Sequence, residues 1–316
     1  MKRRGLSDLT NYCKNYQINN SHLKQDFSIV TARKNEKLQI KKFQRKDFIL
    51  NEFSQKIFIY LLSREIKLFK CRFSILLTDS HGRTDVVMWF ITIANKTEIS
   101  NDSIHLAIAL FDYYYQIVKK DYNLYIGIIM LWIASKIEDS FPISLKNIIN
   151  HTHLNYDEIH GQCKTMELDI LNELDFDVNL PTPIQFLRHF TKIVHTTETC
   201  HQTAKFIIDL TLTDNKFIGL NYSLMAASSF CIALDLIKKV PEMGDSWNTL
   251  LKRYSSFDKS NILPVMKEMV AMLINLNRLS KQLLPLYKRY SKTIESVHLS
   301  KENIRNYQYK IPIIIS

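Results

Sequence analysis

Two stretches, Leu124 to Lys136 and Ser223 to Asp235, are apolar or small at nearly every position and carry no charge until their last residue. Each contains an Ile-Ala pair near its end, Ile133-Ala134 and Ile232-Ala233. A helix that is apolar on every side is surrounded by protein. Both runs are too short to cross a bilayer, which takes roughly 20 residues. Each therefore reads as the central helix of an α-helical bundle, and the chain as two such bundles in tandem.

The flanking pattern agrees. Ile57 to Lys70 reads as a short amphipathic lead-in helix, and a helix around Trp89 follows over Arg83 to Ala94. Asp102-Ser103 is expected to cap the next helix. Its apolar positions Ile104, Ala107, Ile108, Phe111, Tyr114, Tyr115 and Val118 have the spacing of one buried face. Pro142 and Ser144 open a short helix over Leu145 to Ile149. Asn155-Tyr-Asp-Glu158 has the form of a capping box ahead of Ile159, Cys163, Met166, Ile170 and Leu174. Pro181-Thr-Pro183 then punctuates, with Thr182 as cap and Pro183 at the first helical position, where proline is tolerated. A second series is predicted over 184–194, 200–213, 222–237, 246–254 and 260–276. The expected architecture is all-α: two tandem five-helix bundles behind a polar, aperiodic N-terminal tail over residues 1–50, read as mobile and disordered. Residues 51–81 lead in, and 291–316 form a C-terminal extension ending in an extended, Ile-rich stretch.

Composition narrows the chemistry. The chain has 316 residues, room for about two domains. Six widely spaced glycines exclude a glycine-rich phosphate loop, and H-E-x-x-H and G-x-S-x-G are absent. An enzyme is not expected, nor a cofactor. The ten histidines have no ligand spacing, and five scattered cysteines without a C-x-x-C pair suggest neither a zinc site nor a disulfide framework. Met1-Lys-Arg-Arg is followed by polar residues, so no secretory leader and no membrane association are expected. The net charge is +11, and part of it lies in Arg33 to Lys46. That segment is read either as a solvated basic stretch or as an import signal or contact for an acidic partner.

Several segments together resemble a known family. They are Leu106-Ala-Ile-Ala-Leu-Phe-Asp112, Ile133-Ala-Ser-Lys-Ile-Glu138, Met166-Glu167, and the run from Leu174 through Asp175-Phe-Asp177 and Pro181-Thr-Pro183 to Leu187. Phe206 to Gly219, 223–236, Trp247 to Tyr254 and Leu263 to Met272 continue the match. Residues 82–180 resemble the first cyclin box and 181–290 the second, in the manner of the mitotic A- and B-type cyclins. The resemblance implies a non-catalytic regulatory subunit. It would bind and activate a cyclin-dependent kinase at the G2/M transition, in the nucleus and cytoplasm.

It also implies roles for particular residues. Lys136 and Glu167 match the paired kinase contacts, and Ile137, Leu171, Phe176 and Val178 resemble the apolar part of the kinase footprint. Arg83 and Asp112 match a structural pair expected to pin the first helix of the box to the second. The substrate-docking patch departs from the family pattern. Trp89 survives with Val86, but Gly82, Asp85, Met88 and Thr92 differ from the usual residues, and Leu124 stands where a glutamine is common. Arg3, Leu6 and Asn11 have the spacing of a destruction box, which implies a ubiquitin ligase acting at mitotic exit. The alternative from another class is a nucleic-acid-associated transcription factor with the same paired fold. The basic charge favours it slightly; the missing zinc-ribbon cysteines and the two kinase-contact positions weigh against nucleic acid as a partner.

Overall fold

The structure is a computed structural model and describes residues 55–66, 68, 81–118, 123–240, 242–275, 283–296 and 304. The tail, Arg33 to Lys46 and the Arg3, Leu6 and Asn11 motif lie outside the described residues. A lead-in helix, α1, covers 55–66. The first bundle contains α2 (His81–Ala94), α3 (Asn101–Val118), α4 (Leu124–Glu138), α5 (Leu145–Ile149) and α6 (Tyr156–Glu173). The second contains α7 (Pro183–Val194), α8 (Glu198–Thr213), α9 (Tyr222–Lys238), α10 (Thr249–Ser255) and α11 (Lys259–Asn275), with a short 3-10 turn at Asn215–Phe217. A last helix, α12 (Leu284–Ser296), packs on α8 and α2. Among the described residues there is no strand.

The two charge-poor runs are the bundle centres. In α9 every residue from Tyr222 to Asp235 is buried, enclosed by α7, α8 and α11. In α4 Ile128 to Leu131 and Ile133 to Ser135 are buried, mainly against α3. Each fully buried Leu, Ile or Phe contributes about 1.5–3 kcal/mol relative to exposure, so these helices with their neighbours supply most of the cohesion. No described helix is long and apolar enough to cross a membrane.

Capping shows where local pattern and tertiary structure part. Asn123 caps α4 by accepting from Tyr125 N at 2.8 Å, and Asn155 caps α6 by accepting from Asp157 N at 3.2 Å. The cap of α3 is Ser100 rather than Asp102-Ser103, because Ser103 N donates to Ser100 Oγ at 3.1 Å. At α9 the capping position is Asn221, whose side chain makes no cap bond. Glu65 of α1 does that work from 158 positions away: its Oε1 accepts from Ser223 N at 2.8 Å and its Oε2 from the Ser223 hydroxyl at 2.5 Å. A carboxylate there also meets the positive end of the helix dipole. Phe58 anchors the same lead-in helix on the second bundle, stacking on His189 with ring centroids 4.2 Å apart and edge-on to Phe186 at 5.6 Å.

The helix expected over 246–254 begins at Thr249. Residues before it form a turn held by the buried Asp235 carboxylate at the end of α9, which accepts from Gly244 N at 2.6 Å and Ser246 N at 3.0 Å. Gly244 has φ +85 there, a backbone region that favours glycine.

Candidate partner-binding surface

Lys136 leaves the last turn of α4 where the apolar run ends, and Glu167 lies on α6 one residue past Met166. Their side chains meet, Nζ to Oε1, at 2.5 Å, with Lys136 exposed and Glu167 half-buried. Lys136 Nζ also sits 3.3 Å from the centroid of the Trp132 ring. The ammonium is thus held by a carboxylate and a π face, in a place solvent or a partner still reaches.

Apolar side chains follow this pair in the chain, on α4, on α6 and in the turn after α6. Ile137 is 41% exposed and Phe176 59% exposed; Leu171 and Val178 are half-buried. The turn after α6 holds Phe176 out. Leu174 N returns to Ile170 O at 3.0 Å and Phe176 N to Leu171 O at 2.8 Å, which closes the helix end. Asp175 and Phe176 then adopt φ of 50 and 55. An aromatic residue in the left-handed region is strained, and such strain concentrates at functional sites. A clamp from α1 fixes the next residue: Arg64 grips both Asp177 carboxylate oxygens and donates to Asn179 O at 3.1 Å. The hydrogen bond to Asp177 raises the Arg64 pKa against the opposing effect of burial.

The sequence reading missed Leu168, which is 55% exposed, and Phe141, which is almost fully exposed beside Pro142. Leu168 had a usable signal, since it falls off the Ile159, Cys163, Met166, Ile170, Leu174 stripe and next to Glu167. The Arg64–Asp177 clamp had none, because its ends are 113 positions apart.

The other singled-out residues lie elsewhere. Arg83 and Asp112 are buried and bonded twice, Nε to Oδ1 at 2.6 Å and Nη2 to Oδ2 at 2.9 Å. Arg83 also crosses to the second bundle, donating to Leu212 O at 2.9 Å. Trp89 is half-buried on α2. Its Nε1 faces His151 O at 3.5 Å, Val86 is buried, and the Thr92 hydroxyl turns back to Met88 O at 2.8 Å. A Cβ on Gly127 would come within 2.7 Å of Val86 Cγ1, so α2 and α4 approach closely there. Leu124, one turn earlier, is half-buried at the start of α4.

Residues 56–179 match the family model for the cyclin N-terminal domain, and residues 181–303 match that for the cyclin C-terminal domain. The chain belongs to the cyclin family. Curated relatives include G2/mitotic-specific cyclin-B1 of Carassius auratus, 28% identical over 66% of this chain and 51% of the relative. Others are G2/mitotic-specific cyclin-B of Marthasterias glacialis, 26% identical over 72% of this chain and 58% of the relative, and cyclin-B2 of Bos taurus, 27% over 67% and 53%. The chain thus spans about half the length of the curated relatives it matches. Among solved structures, a viral cyclin from herpesvirus saimiri superposes with a TM-score of 0.55 at 17% identity, covering 67% of this cyclin and 97% of that chain. That likeness speaks to the fold.

Proposed function

We propose that this cyclin is the regulatory subunit of a cyclin-dependent kinase and switches that kinase on at the G2/M transition. The observation that carries the proposal is the Lys136–Glu167 pair, which joins α4 to α6, together with the exposure of Ile137, Leu168 and Phe176 at the ends of the same two helices. Partner surfaces combine desolvated apolar anchors with a few oriented polar groups. A charged pair and exposed apolar side chains, on two helices rooted in a rigid bundle, answer that description. The likeness to G2/mitotic-specific cyclins supports the mitotic assignment.

Activation on this reading is differential binding. The kinase exchanges between an arrangement in which its mobile small-lobe helix is turned away and one in which that helix's Glu pairs with the ATP-positioning Lys. A preformed cyclin surface that contacts only the second arrangement shifts the population toward it. Catalysis stays with the kinase. The cyclin acts in the nucleus and cytoplasm, and Arg3, Leu6 and Asn11 direct its ubiquitination at mitotic exit. Arg3→Ala with Leu6→Ala then lengthens its half-life in synchronised cells, and equal half-lives would remove the degron.

The test of the main proposal uses the full chain as bait in extracts of dividing cells of the source organism. The expected result is recovery of a cyclin-dependent kinase whose histone-kinase activity depends on the bait. Recovery of no kinase, together with salt-dependent retention of duplex DNA, would favour the transcription-factor reading, because phosphate contacts weaken steeply with salt.

A further inference from the structure

Arg64 and Glu65 are neighbours on α1, and successive residues of a helix point about 100° apart. They tie α1 to two different places. Glu65, only 4% exposed, bonds the N–H and hydroxyl of Ser223 at the start of α9. Phe58, also buried, sets the same helix among Phe186, His189 and Phe190 of α7. Both anchors belong to the second bundle. Arg64 reaches instead to the turn that leaves α6 of the first bundle. There Nη1 donates to Asp177 Oδ2 at 3.2 Å, and Nη2 donates to Asp177 Oδ1 and to Asn179 O. The second bundle therefore holds, through α1, the turn that carries Phe176.

That turn needs holding. Asp175 and Phe176 are consecutive residues at φ 50 and 55, a region that residues with side chains rarely occupy. Such backbone persists where the surrounding structure over-determines it. On the helix side the restraints are backbone bonds, Phe176 N to Leu171 O at 2.8 Å and Asp177 N to Leu174 O at 2.9 Å. On the far side stands the Arg64 fork. Phe176 is largely exposed, so its ring buries too little to fix its own place. Arg64 and Asp177 are both part-buried, which leaves their attraction less screened than that of a surface pair. The guanidinium meets the carboxylate in two bonds, a geometry that the single ammonium of lysine does not reproduce.

We propose that Arg64 and Glu65 are positioning residues of the kinase-binding surface, carrying the position of the second bundle into the Phe176 turn without touching the kinase themselves. This rests on the kinase reading given above and adds that both bundles build the surface, through α1. Glu65 is too deeply buried to be a contact, so any effect it has on a partner passes through α1. When the grip on Asp177 is loosened, the turn leaves its left-handed conformation and Phe176 samples other positions. Only molecules with the turn in place bind, and the apparent affinity falls in proportion to their fraction. Whatever lifts α1 off α9 thereby weakens kinase binding from a distance.

The test has two readouts on the full chain. The first is fluorine NMR of the free protein with para-fluorophenylalanine placed at position 176 alone. The wild type is expected to give one sharp line, and both Arg64→Lys and Glu65→Gln are expected to shift or broaden it. The second is calorimetric titration with the cyclin-dependent kinase recovered from dividing cells. Arg64→Lys should weaken binding about tenfold through loss of the charge-assisted fork, and Glu65→Gln roughly threefold, the scale of one weakened hydrogen bond. In a Phe176→Ala background neither change should weaken binding further, because residues that act as one unit are not additive. Effects that add to that of Phe176→Ala would make Arg64 a direct contact and overturn the proposal. An unmoved fluorine line would overturn it too, as would a lowered melting temperature with kinase affinity unchanged, which would make the two residues purely structural. Failure of the wild type to bind any cyclin-dependent kinase would remove the kinase reading and this inference with it. Wild-type binding that Arg64→Lys leaves unaltered would remove this inference alone.

Discussion

Lys136 is held by Glu167 and by the Trp132 ring, yet it remains exposed. An exposed ion pair contributes about 0–1 kcal/mol to folding, so its removal should show in binding rather than stability. We expect Lys136→Ala with Glu167→Ala to weaken kinase affinity by about 100-fold in calorimetric titration, on the scale of a hot-spot pair, while the melting temperature moves little. Near-wild-type affinity would sink the assignment, and a large cooperative loss of stability would make the pair structural. His189 gives a second residue-scale expectation, in pH. Burial first, and the charge of Lys192 second, push its pKa down from 6.5 to about 4. The unfolded chain then binds a proton between those values that the folded chain refuses. Stability is therefore fully present above about pH 6.5 and falls as pH drops toward 4, by roughly 2 kcal/mol between pH 7 and 5. Urea unfolding at both pH values checks this, because His189→Phe should lose that component of the slope. An unchanged slope would mean His189 is protonated in the folded protein.

At the scale of elements, the sequence was most legible where periodicity and burial coincide. The two charge-poor runs are both helices, since apolar runs of that length exceed a usual buried strand and need burial on every side. Legibility failed where a distant group completes a local structure. The α9 N-terminus is served by Glu65, and the turn before α10 hangs on Asp235; neither leaves a local pattern. The candidate surface was legible in part. Phe176 could be named from its motif, but its exposure follows from a left-handed turn and an Arg64 clamp that only the fold creates. That turn yields a prediction in which stability and function diverge. An L-residue in the left-handed region costs roughly 1–2 kcal/mol, and Asn tolerates it better than an aromatic. Phe176 is largely exposed, so little burial is lost on its replacement. Phe176→Asn should leave thermal stability equal or slightly raised while weakening kinase binding about tenfold or more, as loss of an apolar anchor does. A marked drop in melting temperature would show that Phe176 packs as core, and retained affinity would remove it from the interface.

Across the whole molecule, polar groups join the two bundles. Arg188 of α7 bonds both Asp102 carboxylate oxygens of α3 at 2.6 Å, and His105 of α3 meets Asp209 of α8 at 2.9 Å. Tyr290 of α12 donates to the same Asp209 at 2.5 Å, while Asn95 of the first bundle donates to Pro285 O at 2.7 Å. Arg83 is the most deeply committed member. Its pairing with Asp112 was readable through the family resemblance, which matches both residues to a structural pair. Its bond to Leu212 O was not, since a backbone carbonyl 129 positions away has no signature. Arg83 is consequently both a pin within the first bundle and part of the joint that sets the second against it. Arg83→Met would leave the buried Asp112 carboxylate uncompensated and the Leu212 carbonyl without this donor. The expected cost is about 3–5 kcal/mol, the range for breaking one side of a buried pair, measured by urea unfolding of the full chain. Arg83→Met combined with Asp112→Leu removes both charges, and should recover much of that loss, since a well-packed apolar replacement of a buried pair is often near neutral. A cost under about 1 kcal/mol for Arg83→Met, which is the range of an exposed pair, would mean that solvent reaches the Arg83–Asp112 pair and that Arg83 does not help to hold the bundles together.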